Sequence, residues 1–212
     1  MTALPREIYG SLCVSGNNFK SFYGCPEKIG GDIFADLNLI ESFDGLPSNY
    51  TGSLFLAHNK IKTLKGLPIG VDRIEMEDNL LLSLDGFPKQ SLRKVDFSYN
   101  RIVDLRNCDG NRPNITGSIN IEHNFLPKSI TLAGYLGKDK PYEKRVKPQD
   151  PISKEDKKKL LDELAMQRQR LFGISPVLKE SFNDDYLDTD DQNYFDTFSK
   201  ESSGELRRLI TE

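Results

Sequence analysis

Two histidines, His58 and His123, and three cysteines, Cys13, Cys25 and Cys108, are the side chains of this 212-residue chain best suited to proton or thiol chemistry near neutral pH. Nucleophilic catalysis needs such a group next to a base or nucleophile and an orienting partner, and no Ser/His/Asp or Cys/His set can be assembled from these positions. The cysteines are odd in number and lack the CxxC spacing of a metal site, so they read as reduced thiols. Glu75, Glu77, Asp78 and Asp96 offer oxygen ligands of the kind a hard cation takes, but a solvated acidic face is the favoured reading. No glycine-rich phosphate loop is present. The chain therefore reads as a non-enzyme with no catalytic, metal or cofactor residues.

The elements that carry these residues follow from a repeat. One segment recurs as apolar-x-apolar-x-x-Asn-x-apolar-x-x-apolar-x-Gly-apolar-Pro. It runs through Leu54, Leu56, Asn59, Ile61, Leu64, Gly66, Leu67 and Pro68 in its third copy, and through Ile33, Ala35, Asn38, Ile40, Phe43, Gly45, Leu46 and Pro47 in its second. The first copy ends Gly24-Cys25-Pro26 and the fourth Gly86-Phe87-Pro88. A fifth copy keeps Val95, Phe97, Asn100, Ile102 and Leu105 but has Asn107-Cys108-Asp109 in place of the Gly-apolar-Pro, and a sixth stops after Leu126. The asparagines Asn17, Asn38, Asn59, Asn79, Asn100 and Asn124 are spaced by 21, 21, 20, 21 and 24 residues. That regularity predicts a coil stacked on copies of itself.

Each repeated residue type has a physical task in such a stack. The apolar-x-apolar pair has the two-residue period of a strand, so both side chains point inward and their neighbours point out. The turn that follows removes backbone groups from water, where an unpaired one costs about 1 to 3 kcal/mol. Asparagine carries both a donor and an acceptor on a short arm and can satisfy its own turn and the adjacent one as a ladder. The later apolar positions fill the rest of the core, Gly permits the bend and Pro fixes it. Cys25 and Cys108 stand where other copies have leucine, which makes them buried thiols in expectation. His58 and His123 share the position before the asparagine, but three coils at about 4.8 Å each keep them from sharing a metal.

The Leu-x-Leu-x-x-Asn pattern resembles that of leucine-rich-repeat proteins. The short unit ending in Gly-Leu-Pro is similar to the repeats of bacteriophage-encoded proteins and, less closely, of bacterial effectors. The resemblance covers roughly residues 10 to 132 and implies an α/β-type repeat solenoid with a narrow parallel sheet. The effector likeness would bring a ubiquitin-ligase activity into view, but no cysteine follows the repeats to serve it.

The expected organisation is a solenoid with caps over 1–136, a charged, proline-containing linker over 137–152, an amphipathic helix over 153–173 and an acidic-aromatic tail over 174–212. Ser153 and Asp156 form a variant capping box, Leu160, Leu161, Leu164 and Leu171 share one helix face, and Gly173 and Pro176 end the helix. Lys157, Lys158, Lys159, Arg168 and Arg170 are placed off that face. Charge is uneven: 14 basic and 15 acidic residues in 1–135, 11 and 7 in 136–176, and 4 and 10 in 177–212. With 37% hydrophobic residues and a mean hydropathy of -0.52, the chain has material for one modest core. No apolar run approaches the roughly 18 to 20 residues that cross a bilayer, and the first residues do not form a secretory signal. The expected location is the cytoplasm, that of a host cell if the gene is phage-borne, with a virion as the other possibility.

Outward positions on the strands place Cys13, Phe34 and Phe55 in line with Glu75, Asp96 and Asn120. Phe34 and Phe55 are the expected anchors for a bound protein, with Glu75, Glu77 and Asp96 as a charged rim and Tyr186, Tyr194, Phe195 and Phe198 of the tail as a second contact arm. The competing reading is that the protein's own helix covers Phe34 and Phe55. Function then reads as non-enzymatic protein recognition, expected of a phage accessory factor that binds a host or phage protein. The alternatives are a virion component whose tail packs on neighbouring subunits and, lower, a nucleic-acid-associated factor acting through the basic linker and helix start. No membrane partner is expected, and the oligomeric state stays open.

Overall fold

A computed structural model of the protein describes residues 4–89, 91–105, 114–126 and 151–174. Among these residues eight strands and one helix form in chain order: β1 (Glu7–Ile8), β2 (Leu12–Cys13), β3 (Lys28–Ile29), β4 (Ile33–Phe34), β5 (Leu54–Phe55), β6 (Arg73–Glu75), β7 (Ser91–Asp96), β8 (Asn114–Asn120) and α1 (Lys154–Phe172). The main sheet is parallel and six-stranded in the order β2-β4-β5-β6-β7-β8, so each coil adds its strand beside the previous one and the chain climbs as a β-solenoid. β1 pairs with β3 in a separate two-stranded sheet and supplies the entry to the first coil, with Ile8 packed on the core. The expected linker (137–152) lies almost wholly outside the described residues, as does the tail beyond Ile174, including Tyr186, Tyr194, Phe195 and Phe198. Cys108 is outside them as well.

The core is a set of columns running along the stack. The inward strand residues Leu12, Ile33, Leu54, Ile74 and Val95 form one column, and Val14, Ala35, Leu56, Met76 and Phe97 form the next. Both are buried because alternate residues of a strand face the same side. A further column, Ile29, Tyr50, Val71, Leu92 and Ile115, lies three or four residues ahead of the first one, outside the recurrent motif. One copy could bury little of this alone; stacked copies share one continuous core.

The turns are held by the asparagines. The Asn59 amide donates to Leu56 O at 3.1 Å and Ala57 O at 3.2 Å in its own coil, and to Ala35 O of the coil before at 3.0 Å. Its Oδ1 accepts from Ile40 N of that earlier coil at 3.0 Å. Asn38, Asn79, Asn100 and Asn124 repeat the arrangement, each accepting one backbone N–H from the previous coil at 2.9 to 3.1 Å. Asn17 is exposed, and among the described residues its side chain bonds Val14 O and Ser15 O alone.

The residue before each asparagine adopts a left-handed conformation: Gly16, Leu37, His58, Asp78, Tyr99 and His123 all have φ between 52° and 70°. Five of the six are not glycine, and each such residue costs about 1 to 2 kcal/mol in this region. The N–H groups of the first five donate to the next coil, as in Leu37 N to Ala57 O and His58 N to Glu77 O at 2.9 Å, so the stack enforces the conformation there. A second column of hydroxyls, Ser21, Ser42, Thr63 and Ser83, accepts the N–H two residues on and closes the next bend. The Gly of Gly-apolar-Pro sits at positive φ in the turn after it, and a Cβ at Gly45 or Gly86 would fall 2.4 Å from a backbone nitrogen of the preceding coil.

Helix α1 begins at Ser153, whose Oγ accepts from Asp156 N at 3.0 Å, and ends at Gly173, with φ 70° and its N–H on Gln169 O. Its buried residues are Leu160, Leu164 and Gln167. They rest on Leu82 and Val103, with Phe125 and Ile152 at the margin. Arg168, expected on the solvated side, instead faces inward: it binds Asp85 at 2.7 and 3.1 Å and Asp104 at 3.3 Å, and Asp85 is fully buried. Gln167 donates to Lys62 O, Lys65 donates to Leu171 O, and Arg101 pairs with Glu163.

Candidate functional site

The strands place one outward residue per coil in strict register, Cys13 beside Phe34, Phe34 beside Phe55, Phe55 beside Glu75, Glu75 beside Asp96 and Asp96 beside Asn120. Parallel pairing keeps this line straight, because a one-residue shift at these positions would turn a strand's side chains to the core; the register shift between β7 and β8, at Leu92/Lys94, falls ahead of the line and leaves Asp96 opposite Asn120. Along the line the chemistry changes from thiol to aromatic to charged.

Phe34 and Phe55 stack with ring centroids 4.6 Å apart and planes 8° from parallel. The spacing between neighbouring strands, about 4.8 Å, lies in the range of centroid separations at which parallel, offset rings stack. The Arg73 guanidinium lies 4.9 Å from the Phe55 centroid. Phe55 is thus held between Phe34 of the coil before and Arg73 of the coil after. On the other side of Phe34 the residue in register is Cys13, an exposed thiol on a short side chain.

The charged half is tied internally. Glu75 Oε1 accepts from Arg73 and from Lys94 at 2.6 Å each. Burial alone would raise the Glu75 pKa, but the bonds from Lys94 and Arg73 outweigh it and hold the carboxyl below its ordinary value. Asp96 accepts from the Ser98 N–H and hydroxyl at 3.0 and 2.6 Å and from Asn120 at 3.1 Å. Asp32 and Asp36 flank Phe34, and each uses Oδ1 to accept a backbone N–H of the next coil, Ser53 N at 2.8 Å and Ala57 N at 2.9 Å. Across the outward positions of the sheet, six carboxylates (Asp32, Asp36, Glu75, Glu77, Asp96 and Glu122) stand against two cations (Arg73 and Lys94).

Of the sequence-predicted site residues, Phe34 and Phe55 are brought together, Glu75 and Asp96 lie in the same line, and Glu77 sits one coil position aside on β6's continuation. The reading in which α1 covers Phe34 and Phe55 is not what the structure shows. The helix contacts lie on Lys62, Leu82, Asp85, Val103 and Asp104, on the segment after the asparagines. A sequence signal for this docking existed. Three residues past each asparagine the chain reads Lys20, Glu41, Lys62 and then Leu82 and Val103, a change from exposed polar to buried apolar at a position that faces outward in the early coils.

The remaining chemistry-bearing residues are dispersed. His58 pairs with Asp78 at 2.8 Å on the rim, and His123 stacks on Tyr99 with centroids 4.2 Å apart. Glu75, Asp78 and Asp96 each bond different partners and do not converge, and among the described residues no group of three or more His, Cys, Asp or Glu side chains is placed to hold a metal. A shallow depression on the rim is lined by Leu37, His58, Lys60 and Asp78, with the ladder asparagines behind it already engaged. Burial pushes the Cys25 thiol up to about 11, which leaves it protonated at neutral pH. No helix among the described residues is long and apolar enough to cross a membrane.

Compared with protein-family models, with curated proteins and with solved structures, the chain has no significant match.

Proposed function

We propose that this protein is a non-enzymatic recognition module of the leucine-rich-repeat kind that binds another protein through the outward face of its sheet. The observation that carries the reading is the Phe34–Phe55 stack, two large apolar rings displayed side by side on a face that the helix leaves alone. Rigid aromatic groups lose little conformational entropy on contact and often dominate binding energy. The surrounding carboxylates supply orientation and discrimination around that anchor. The resemblance of the Gly-Leu-Pro repeats to those of phage proteins supports an accessory role, in which the module redirects a host or phage protein.

The test is affinity capture by the full chain from cells that make it, compared with the Phe34→Ser/Phe55→Ser variant. Both phenylalanines lie outside the buried core, so the variant is expected to keep its circular dichroism spectrum and its unfolding midpoint to within a few degrees. One stoichiometric protein held by the wild type and lost by the variant is the expected outcome. A partner retained by a folded variant would place recognition elsewhere on the molecule.

A further inference from the structure

Among the described residues, the Phe34–Phe55 stack is closed by a cation at one end and open at the other. Arg73 supplies the closing layer over Phe55, 4.9 Å from its centroid. At the other end the register neighbour of Phe34 is Cys13, too short to cover a phenyl ring. Beside this open ring stand the carboxylates of Asp32 and Asp36, half-buried on either side of β4, each holding a backbone N–H with Oδ1. Among the described residues, Asp36 Oδ2 meets the Ser15 hydroxyl alone, at a long 3.4 Å. An aromatic face flanked by carboxylate oxygens favours a planar cation, since the ring attracts it electrostatically and the carboxylates accept its N–H groups. A guanidinium fits better than an ammonium because it stacks flat and donates in its own plane. The stack already accepts that group once, through Arg73.

We infer that the open face of Phe34 is an arginine subsite, and that the protein bound at this sheet presents an extended, basic segment whose arginine stacks over Cys13 against Phe34 and bonds Asp36 and Asp32. This rests on the recognition role proposed above and names the chemistry of the partner. The excess of carboxylates over cations on the sheet face supports the basic character of the segment and speeds its encounter at low salt. The straight line of the site favours an extended chain over a helix, because an extended segment, advancing about 3.3 Å per residue, can run along it and present alternate side chains to it.

The experiment pans a displayed library of random nonapeptides against the full-length protein, with Phe34→Leu as the counter-target. Leucine keeps apolar contact with Phe55 and removes the aromatic face. A second counter-target, Asp36→Asn, keeps the size of the side chain and removes its charge. The expected result is a set of Phe34-dependent peptides enriched in arginine and basic overall, whose binding weakens about tenfold when the arginine becomes lysine or citrulline. Binding of those peptides should also fall with Asp36→Asn and with added salt. Phe34-dependent peptides without arginine, or with lysine equally good, overturn the subsite while leaving recognition by the face intact. Failure to obtain any Phe34-dependent peptide overturns both.

Discussion

Replacing Asn79 by alanine should destabilise the protein far more than the same change at Asn17, and the reason can be worked atom by atom. The Asn79 amide donates to Leu56 O, Met76 O and Glu77 O at 2.9 to 3.2 Å. Each of these carbonyls has another donor: Asn59 on Leu56 O, Asn100 on Met76 O and the His58 N–H on Glu77 O. What the substitution orphans is Ile61 N, which donates to Asn79 Oδ1 at 3.0 Å from a fully buried residue. An unsatisfied buried donor costs about 1 to 3 kcal/mol, and losing the amide's own weaker bonds adds about 1, so about 3 kcal/mol is expected for Asn79→Ala. Asn17 is exposed, accepts no N–H among the described residues, and shares Val14 O with Asn38, so Asn17→Ala should cost under about 1 kcal/mol. Urea unfolding followed by circular dichroism, with slopes compared to confirm that both variants unfold as the wild type does, measures the difference. Two variants within about 0.5 kcal/mol of each other would refute the ladder as the source of turn stability.

Further expectations follow from other contacts. Arg168→Met takes the guanidinium from the buried Asp85, so it should lower stability by about 3 kcal/mol and speed proteolysis at α1, whereas pairing it with Asp85→Asn should restore part of the loss. Leu37 holds φ 56° while 60% exposed, so Leu37→Asn relieves strain and should raise the melting temperature by about 2 to 4 °C in thermal unfolding. Because the Glu75 pKa is lowered in the folded state, its contribution is present above the unfolded value and is lost as pH falls through the folded one; Glu75→Gln should therefore flatten the acid limb of a stability-against-pH curve below about pH 4.5. At pH 8, iodoacetamide followed by mass spectrometry should label the exposed Cys13 well before Cys25, whose thiol is pushed up to about 11.

The coil architecture was legible because its determinants are side chains of fixed type at fixed spacing. Apolar pairs such as Leu54 and Leu56 announce a strand facing the core, and an amide five residues on announces the turn. The outward line from Cys13 to Asn120 followed from the same period. Several determinants escaped because no residue type marks them. The left-handed position before each asparagine is filled by Leu37, His58, Asp78, Tyr99 and His123, side chains with nothing in common, since at the first four the neighbouring coil imposes the conformation. The core column Ile29, Tyr50, Val71, Leu92 and Ile115 mixes aliphatic and aromatic types enough to hide its period, whereas the hydroxyls Ser21, Ser42, Thr63 and Ser83 keep the period of the asparagines and were legible in principle. The seat of α1 was readable only by comparing one outward column across coils, where Lys62 gives way to Leu82 and Val103. Arg168 looked solvated because helical periodicity sorts residues by polarity, and a buried Asp85 reverses the preference at that one position.

The claim that this face is where the protein meets its partner is tested most directly by a photo-crosslinking amino acid placed at Phe34 in the full chain, with the same group at the exposed Ile69, off the sheet, as the reference. Crosslinking in cells that make the protein should give one discrete protein adduct from position 34, absent from position 69 and mapped by mass spectrometry to a basic, arginine-bearing stretch. Adducts of equal yield from both positions, or none from position 34 while another surface captures the partner, would contradict the account.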